Sequence, residues 1–140
     1  SLKHLMLKDK QVIVMGTGGA SSAVCYCLKK MGARVSVISR DPSKADYSYD
    51  TLPDSLLHEA KLIVNATPLG MSPNVDACPP LKYELISREC TLFDLIYNPE
   101  ITLFLKKGEA QGASIIGGMT MFMEQARASW RIWTGEEIDF

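Results

Sequence analysis

The sequence predicts a single α/β domain: a doubly wound parallel sheet with helices on both faces. Three observations carry this. Short apolar runs of strand length recur along the 140 residues, and segments with helical spacing of apolar positions alternate with them. Glycines stand where helical segments must stop, at Gly32 and Gly112. The first strand, the glycine-rich turn after it, the next helix and the second strand fit within about 30 residues, the size of a βαβ unit. A sheet fed by such crossovers is parallel and needs cover on both faces.

The elements follow in order. Gln11 to Met15 (QVIVM) is an apolar run between a charged turn, Lys8-Asp9-Lys10, and a glycine, which is the pattern of a buried strand. Ala20 to Met31 is helical, with Ala20, Ala23, Val24, Cys27, Leu28 and Met31 on one stripe. Arg34 to Ile38 (RVSVI) reads as the second strand, Asp54 to Glu59 as a weak helix and Leu62 to Ala66 as the third strand. Residues 67–80 hold four prolines and form a long loop. Thr91 to Ile96 is the fourth strand, Thr102 to Gln111 a helix, Ala113 to Ile116 a short fifth strand and Met119 to Trp133 a closing helix. Residues 1–8 have the pattern of the end of an interdomain helix, so the domain proper is expected over 9–140.

Composition narrows the function classes. Fifteen Lys and Arg against 16 Asp and Glu leave a net charge of −1, so a strongly basic nucleic-acid binder is excluded and no nucleic-acid partner is expected. No apolar run approaches the roughly 20 residues that cross a bilayer. The start of the chain lacks the apolar stretch of a signal peptide, so no membrane partner and a cytoplasmic location are expected. The four cysteines, Cys25, Cys27, Cys78 and Cys90, form no CxxC pair and gain no metal-ligand spacing from His4 or His58. Free thiols without metal are the expectation.

The chemistry sits at the turn Gly16-Thr17-Gly18-Gly19-Ala20-Ser21. The first glycine turns the chain out of the strand, and the second leaves no side chain between backbone and a pyrophosphate. The helix that follows offers unpaired N–H groups and its positive dipole end. The third position of the fingerprint is Ser21, small enough for close packing. This makes the domain Rossmann-like. The end of the second strand then selects the dinucleotide. It reads Ser39-Arg40-Asp41-Pro42-Ser43-Lys44. Arg40 can clamp a 2′-phosphate through its planar fork, and Lys44 adds a point charge. Asp41 opposes both, by pairing with Arg40 or by accepting from a ribose hydroxyl.

Over nearly its whole length the chain resembles the nucleotide-binding domain of shikimate dehydrogenases, including the shikimate/quinate branch. Five ordered segments carry the resemblance: Gly16 to Ser21, the Arg40/Lys44 pair, Asn65-Ala66-Thr67-Pro68-Leu69-Gly70-Met71, Asp94-Leu95-Ile96-Tyr97-Asn98-Pro99 with Thr102 and Leu103, and Gly117 to Ala126. The resemblance implies an oxidoreductase that interconverts 3-dehydroshikimate and shikimate with NADP(H). It implies cofactor contacts from Gly16, Thr17, Gly18, Gly19, Ala20, Ser39, Arg40, Asp41, Lys44, Thr67, Leu95, Gly118 and Met121. It also implies substrate contacts from Tyr97 and Gln125. Ser22, Ser39, Asp41 and Thr120 depart from the family pattern, and the first three weaken the cationic phosphate pocket. The family's proton-transferring Lys and Asp belong to an N-terminal substrate domain whose motifs are not in these 140 residues. That domain is the expected partner, shikimate or 3-dehydroshikimate is the expected ligand of the full-length protein, and this chain alone is expected to be inactive. The competing reading is a non-catalytic dinucleotide-sensing or interaction module of the same fold.

Overall fold

The computed structural model describes residues 6–118. Five strands, β1 (Gln11–Met15), β2 (Arg34–Ile38), β3 (Leu62–Asn65), β4 (Thr91–Asp94) and β5 (Ser114–Ile116), form one sheet in the order β2-β1-β3-β4-β5. Every pairing is parallel. Three helices connect them: α1 (Gly19–Lys30), α2 (Asp54–Glu59) and α3 (Leu103–Ala110).

Strand alternation sorts the core into two layers. Val12, Val14, Leu62 and Val64 pack with Val24 and Leu28 of α1 on one face. Ile13, Met15, Ile63 and Leu92 pack with Leu57 of α2 and with Phe104 and Leu105 of α3 on the other. All five residues of β1 are buried, because helices cover the central strand on both sides. Each large apolar side chain taken from water here contributes about 1.5–3 kcal/mol.

Between Gln11 and Ile116 the expected elements are present with small shifts at their ends. β4 stops at Asp94 rather than Ile96, because the Ile96 amide turns to donate to the Asp94 carboxylate at 3.0 Å. β3 stops one residue short of Ala66. α1 ends at Lys30, with Gly32 just beyond at φ +83°. Two 3-10 turns, Pro42–Lys44 and Tyr83–Leu85, were not expected. Of the helix expected over 1–8, only Met6, Leu7 and Lys8 are described. Met6 and Leu7 have no helical structure, and Lys8 enters the turn that leads into β1. Leu7 packs into the α1-side core. The closing helix expected over 119–133 lies outside the described residues.

Candidate functional site

The order of strands reverses between β1 and β3, and at such a point the loops after the two strands diverge and leave a crevice. Gly16 makes the turn out of β1 at φ +107°. A Cβ there would sit 2.9 Å from the Ala66 carbonyl oxygen, so the two loops touch at this point. Past this contact the backbone opens. At Gly18 and Gly19 a Cβ would meet nothing within 4 Å. Gly18 caps α1 without any side-chain hydrogen bond, and the first turn of α1 holds no acidic residue. The start of the helix is therefore a cationic dipole end beside open space, the cradle that a phosphate requires.

Two crevices run along this edge of the sheet. The first, about 290 Å³, lies between Gly16, Thr17 and Gly18 on one side and Ser39, Arg40 and Tyr49 on the other. The second, about 300 Å³, is lined by Ala20, Leu95, Ile96, Tyr97 and Met71. Ala66, Thr67 and Pro68 belong to both and form the ridge between them. Among the described residues, no carboxylate, lysine or histidine lines either crevice.

The ridge stands on buried side chains. The Thr67 hydroxyl donates to Asn65 Oδ1 at 2.6 Å, and the Thr67 amide donates to the same oxygen at 3.0 Å. Asn65 Nδ2 donates to the Leu69 carbonyl and to both oxygens of Asp94, at 3.2 and 3.3 Å. Thr102, the N-cap of α3, donates its hydroxyl to Asp94 Oδ2 at 2.6 Å. Asn65, Asp94 and Thr102 are each 0 % exposed. Burial pushes the Asp94 carboxyl up, while the hydrogen bonds from Thr102, Ile96 and Asn65 pull it back.

The sequence-derived residues divide into three groups. Gly16, Thr17, Gly18, Ser39, Arg40 and Thr67 come together in the first crevice, and Ala20, Thr67, Leu95 and Tyr97 in the second. Gly19 stands open at the first turn of α1. Gly118 lies against the Leu95 and Ile96 carbonyls, where a Cβ would collide with both. Two residues sit differently from expectation. Lys44 lines a neighbouring hollow with Ser21, Ser22 and Lys29, and only Thr17 is common to that hollow and the Arg40 crevice. Lys44 is the last residue of the 3-10 turn that begins at Pro42. Asp41 is not paired with Arg40. Its Oδ1 accepts from the Ser43 hydroxyl at 2.7 Å and the Ser43 amide at 3.0 Å, and these bonds hold its carboxyl below its ordinary range. Met121 and Gln125 lie outside the described residues.

Sequence reasoning missed Tyr49, Asn65, Asp94 and Thr102 as builders of the site. A signal existed for three of them. Asn65 and Asp94 are the polar last residues of otherwise apolar strands. Tyr47 and Tyr49 are two apart, the spacing of an extended segment, and Tyr47 bridges Ile38 at the end of β2. All four cysteines are free thiols. Among the described residues no group of three or more His, Cys, Asp or Glu is placed to hold a metal. None of the described helices is long and apolar enough to cross a membrane.

No protein-family profile matches the chain. The NADP(+)-dependent shikimate dehydrogenase of Methanococcus aeolicus is 36% identical over 147 aligned positions, covering 95% of this chain and 52% of that protein. Shikimate 5-dehydrogenase of Thermus thermophilus, solved with NADP(H) and shikimate, superposes with a TM-score of 0.83 at 32% identity, over 99% of this chain and 54% of that one. The ligand-free 5-ketofructose reductase of Gluconobacter sp. strain CHM43 superposes with a TM-score of 0.84 at 28% identity, over 98% of this chain and 55% of that one. The chain spans about half the length of the relatives that it matches.

Proposed function

The chain belongs to the shikimate dehydrogenase family, matching its nucleotide-binding half, and on that premise we propose that it is the NADP(H)-binding domain of an enzyme that interconverts 3-dehydroshikimate and shikimate. The observation that carries this is the glycine turn: an uncapped helix start with open space at Gly18 and Gly19, facing Arg40 across one crevice. These features fit a dinucleotide. The amides at the start of α1 take the pyrophosphate, and Arg40 takes the 2′-phosphate through charge-assisted hydrogen bonds. The second crevice, with Leu95 and Tyr97, takes the nicotinamide end and one side of the substrate. When bound, NADP(H) supplies the hydride exchanged with the substrate carbon.

This chain's part is to bind and orient. Among the described lining residues there is no carboxylate, lysine or histidine to act as general acid or base, and the side chains of that kind are the tyrosines Tyr49 and Tyr97. A Lys and an Asp of an N-terminal substrate domain would move the substrate's proton. Purified as it stands, the chain should bind NADPH but should not reduce NADP in the presence of shikimate. Turnover at enzymatic rates would overturn this division of labour. Calorimetric titration tests the cofactor assignment. NADPH should bind about 5- to 30-fold more tightly than NADH, a difference of about 1–2 kcal/mol. Arg40→Ala should remove most of that preference. Tighter binding of NADH by the unmutated chain would refute the role given to Arg40.

A second reading has one observation in its favour. The similarity to 5-ketofructose reductase is as close in shape as that to the shikimate enzymes. The same cofactor half could therefore serve a reductase of another polyhydroxylated ketone. Assaying the full-length protein with both ketones distinguishes the two.

A further inference from the structure

Asn65, Asp94 and Thr102 touch neither crevice, yet they form one continuous buried chain of hydrogen bonds that ends on the walls of the second. We infer that Asp94, held by Thr102, is a positioning residue that sets the nicotinamide side of the crevice and leaves the Arg40 wall of the adenosine side alone. The inference rests on the dinucleotide reading above and adds to it.

The Asp94 carboxylate reaches the second crevice by two routes. Its Oδ1 accepts from the Ile96 amide at 3.0 Å, and this bond takes the chain out of β4 into the Leu95–Tyr97 wall. Both of its oxygens accept from Asn65 Nδ2, and Asn65 in turn fixes the hydroxyl and amide of Thr67 on the ridge. One buried group therefore holds both sides of the space where the ring would lie. Thr102 supports it from beneath. The Thr102 hydroxyl donates to Asp94 Oδ2 at 2.6 Å, and its oxygen accepts from the Leu105 amide at 3.4 Å. That ties the carboxylate to the N-terminus of α3, where a negative charge is favoured.

The Ser39–Arg40 wall of the adenosine side is built without this chain. The Gly16 amide donates to the Ile38 carbonyl at 2.9 Å and the Ser39 amide to the Tyr47 carbonyl at 3.1 Å, while Asp41 closes its own turn through Ser43. None of these bonds involves Asp94, Asn65 or Thr102. Two residues tie the network to the first crevice: Thr67, which lines both crevices, and Leu69, whose carbonyl accepts from Asn65 Nδ2 at 3.2 Å. Buried polar networks of this kind hold geometry tightly when every member is satisfied, and lose it when one is removed.

Two ligands separate the two sides. NADPH spans both crevices, whereas adenosine 2′,5′-bisphosphate fills only the one that contains Arg40. Calorimetry on the 140-residue chain should show that Thr102→Val weakens NADPH by roughly three- to tenfold, the range of one net hydrogen bond. It should leave the bisphosphate within about twofold, inside the spread of a distant surface change. Thr102→Ser keeps the hydroxyl and should restore NADPH binding. Should Thr102→Val fail to fold by circular dichroism, Asp94→Asn replaces it in the same pair of titrations. Unchanged NADPH affinity would overturn the inference. So would an equal loss for both ligands, which would make the network a general support of the fold. If the unmutated chain bound neither ligand, the dinucleotide reading would fall together with this one. Failure of the inference alone would leave the unmutated chain binding both.

Discussion

At Gly16 an added Cβ would press on the Ala66 carbonyl oxygen at 2.9 Å, yet at Gly18, two residues on, it would meet nothing within 4 Å. The same contrast separates the two walls of the site. The β1–α1 wall is a place kept empty: no side-chain cap, no acidic residue and no Cβ where a phosphate would approach. The β3–β4 wall is a place kept full, with Asn65, Asp94 and Thr102 buried and bonded to one another. Glycines in one motif thus serve two ends. Gly16 lets the fold close, and Gly18 and Gly19 leave room for a ligand.

Substitutions at these glycines should separate stability from binding. The largest effect is expected from Gly16→Ala. Its φ of +107° is open only to glycine, and the neighbour a Cβ would press on is backbone that cannot swing away. Chemical denaturation should show a loss of about 2–4 kcal/mol, combining backbone strain with the clash. A variant as stable as the parent would show that the two loops are not fixed against each other. Gly18→Ala should do the opposite. Its stability should change by no more than a surface substitution does, about 0.5 kcal/mol. Its NADPH affinity should fall about tenfold as a methyl enters the phosphate approach. Equal losses of stability at both positions would erase the distinction.

The smallest effect concerns alkaline pH. Burial pushes the Tyr49 hydroxyl from its ordinary 10.0 up to about 12 and the Cys90 thiol from 9.0 up to about 12. Between those values the unfolded chain has lost these protons while the folded chain keeps them. Stability is therefore full below about pH 9 and falls as pH rises toward 12. Tyr49 lines the open crevice, and its hydroxyl oxygen is buried with no hydrogen-bond partner among the described residues. Tyr49→Phe should consequently be close to neutral at pH 7 and should shallow the alkaline decline measured by urea unfolding at a series of pH values. A steeper decline would mean that the tyrosine is not the group responsible.

Much of the site was legible because its chemistry is local in sequence. A glycine turn between an apolar strand and an amphipathic helix points to a phosphate cradle at that spacing, and Arg40 stands directly after the next strand. Reading the chain in order thus placed Gly16, Gly18, Ser39, Arg40 and Thr67 on one edge, where the structure brings them together. Lys44 shows the limit. Its place just after the second strand suggested a second charge beside Arg40, whereas it lines a neighbouring hollow that shares Thr17 with the Arg40 crevice.

The sequence by itself determined the alternation of strands and helices, the parallel sheet and the place of the glycine turn. Each follows from hydrophobic period, turn residues and chain length between neighbours in sequence. Only the tertiary structure decided which polar residues support the site. Asn65 and Asp94 are 29 residues apart, and they meet because β3 and β4 pair in parallel register with Asn65 opposite Asp94. Tyr49 reaches the nucleotide crevice because the segment after β2 bridges back to Ile38. A one-residue slip in either pairing would turn these side chains to the other face, and that register is set by the packing of the whole core.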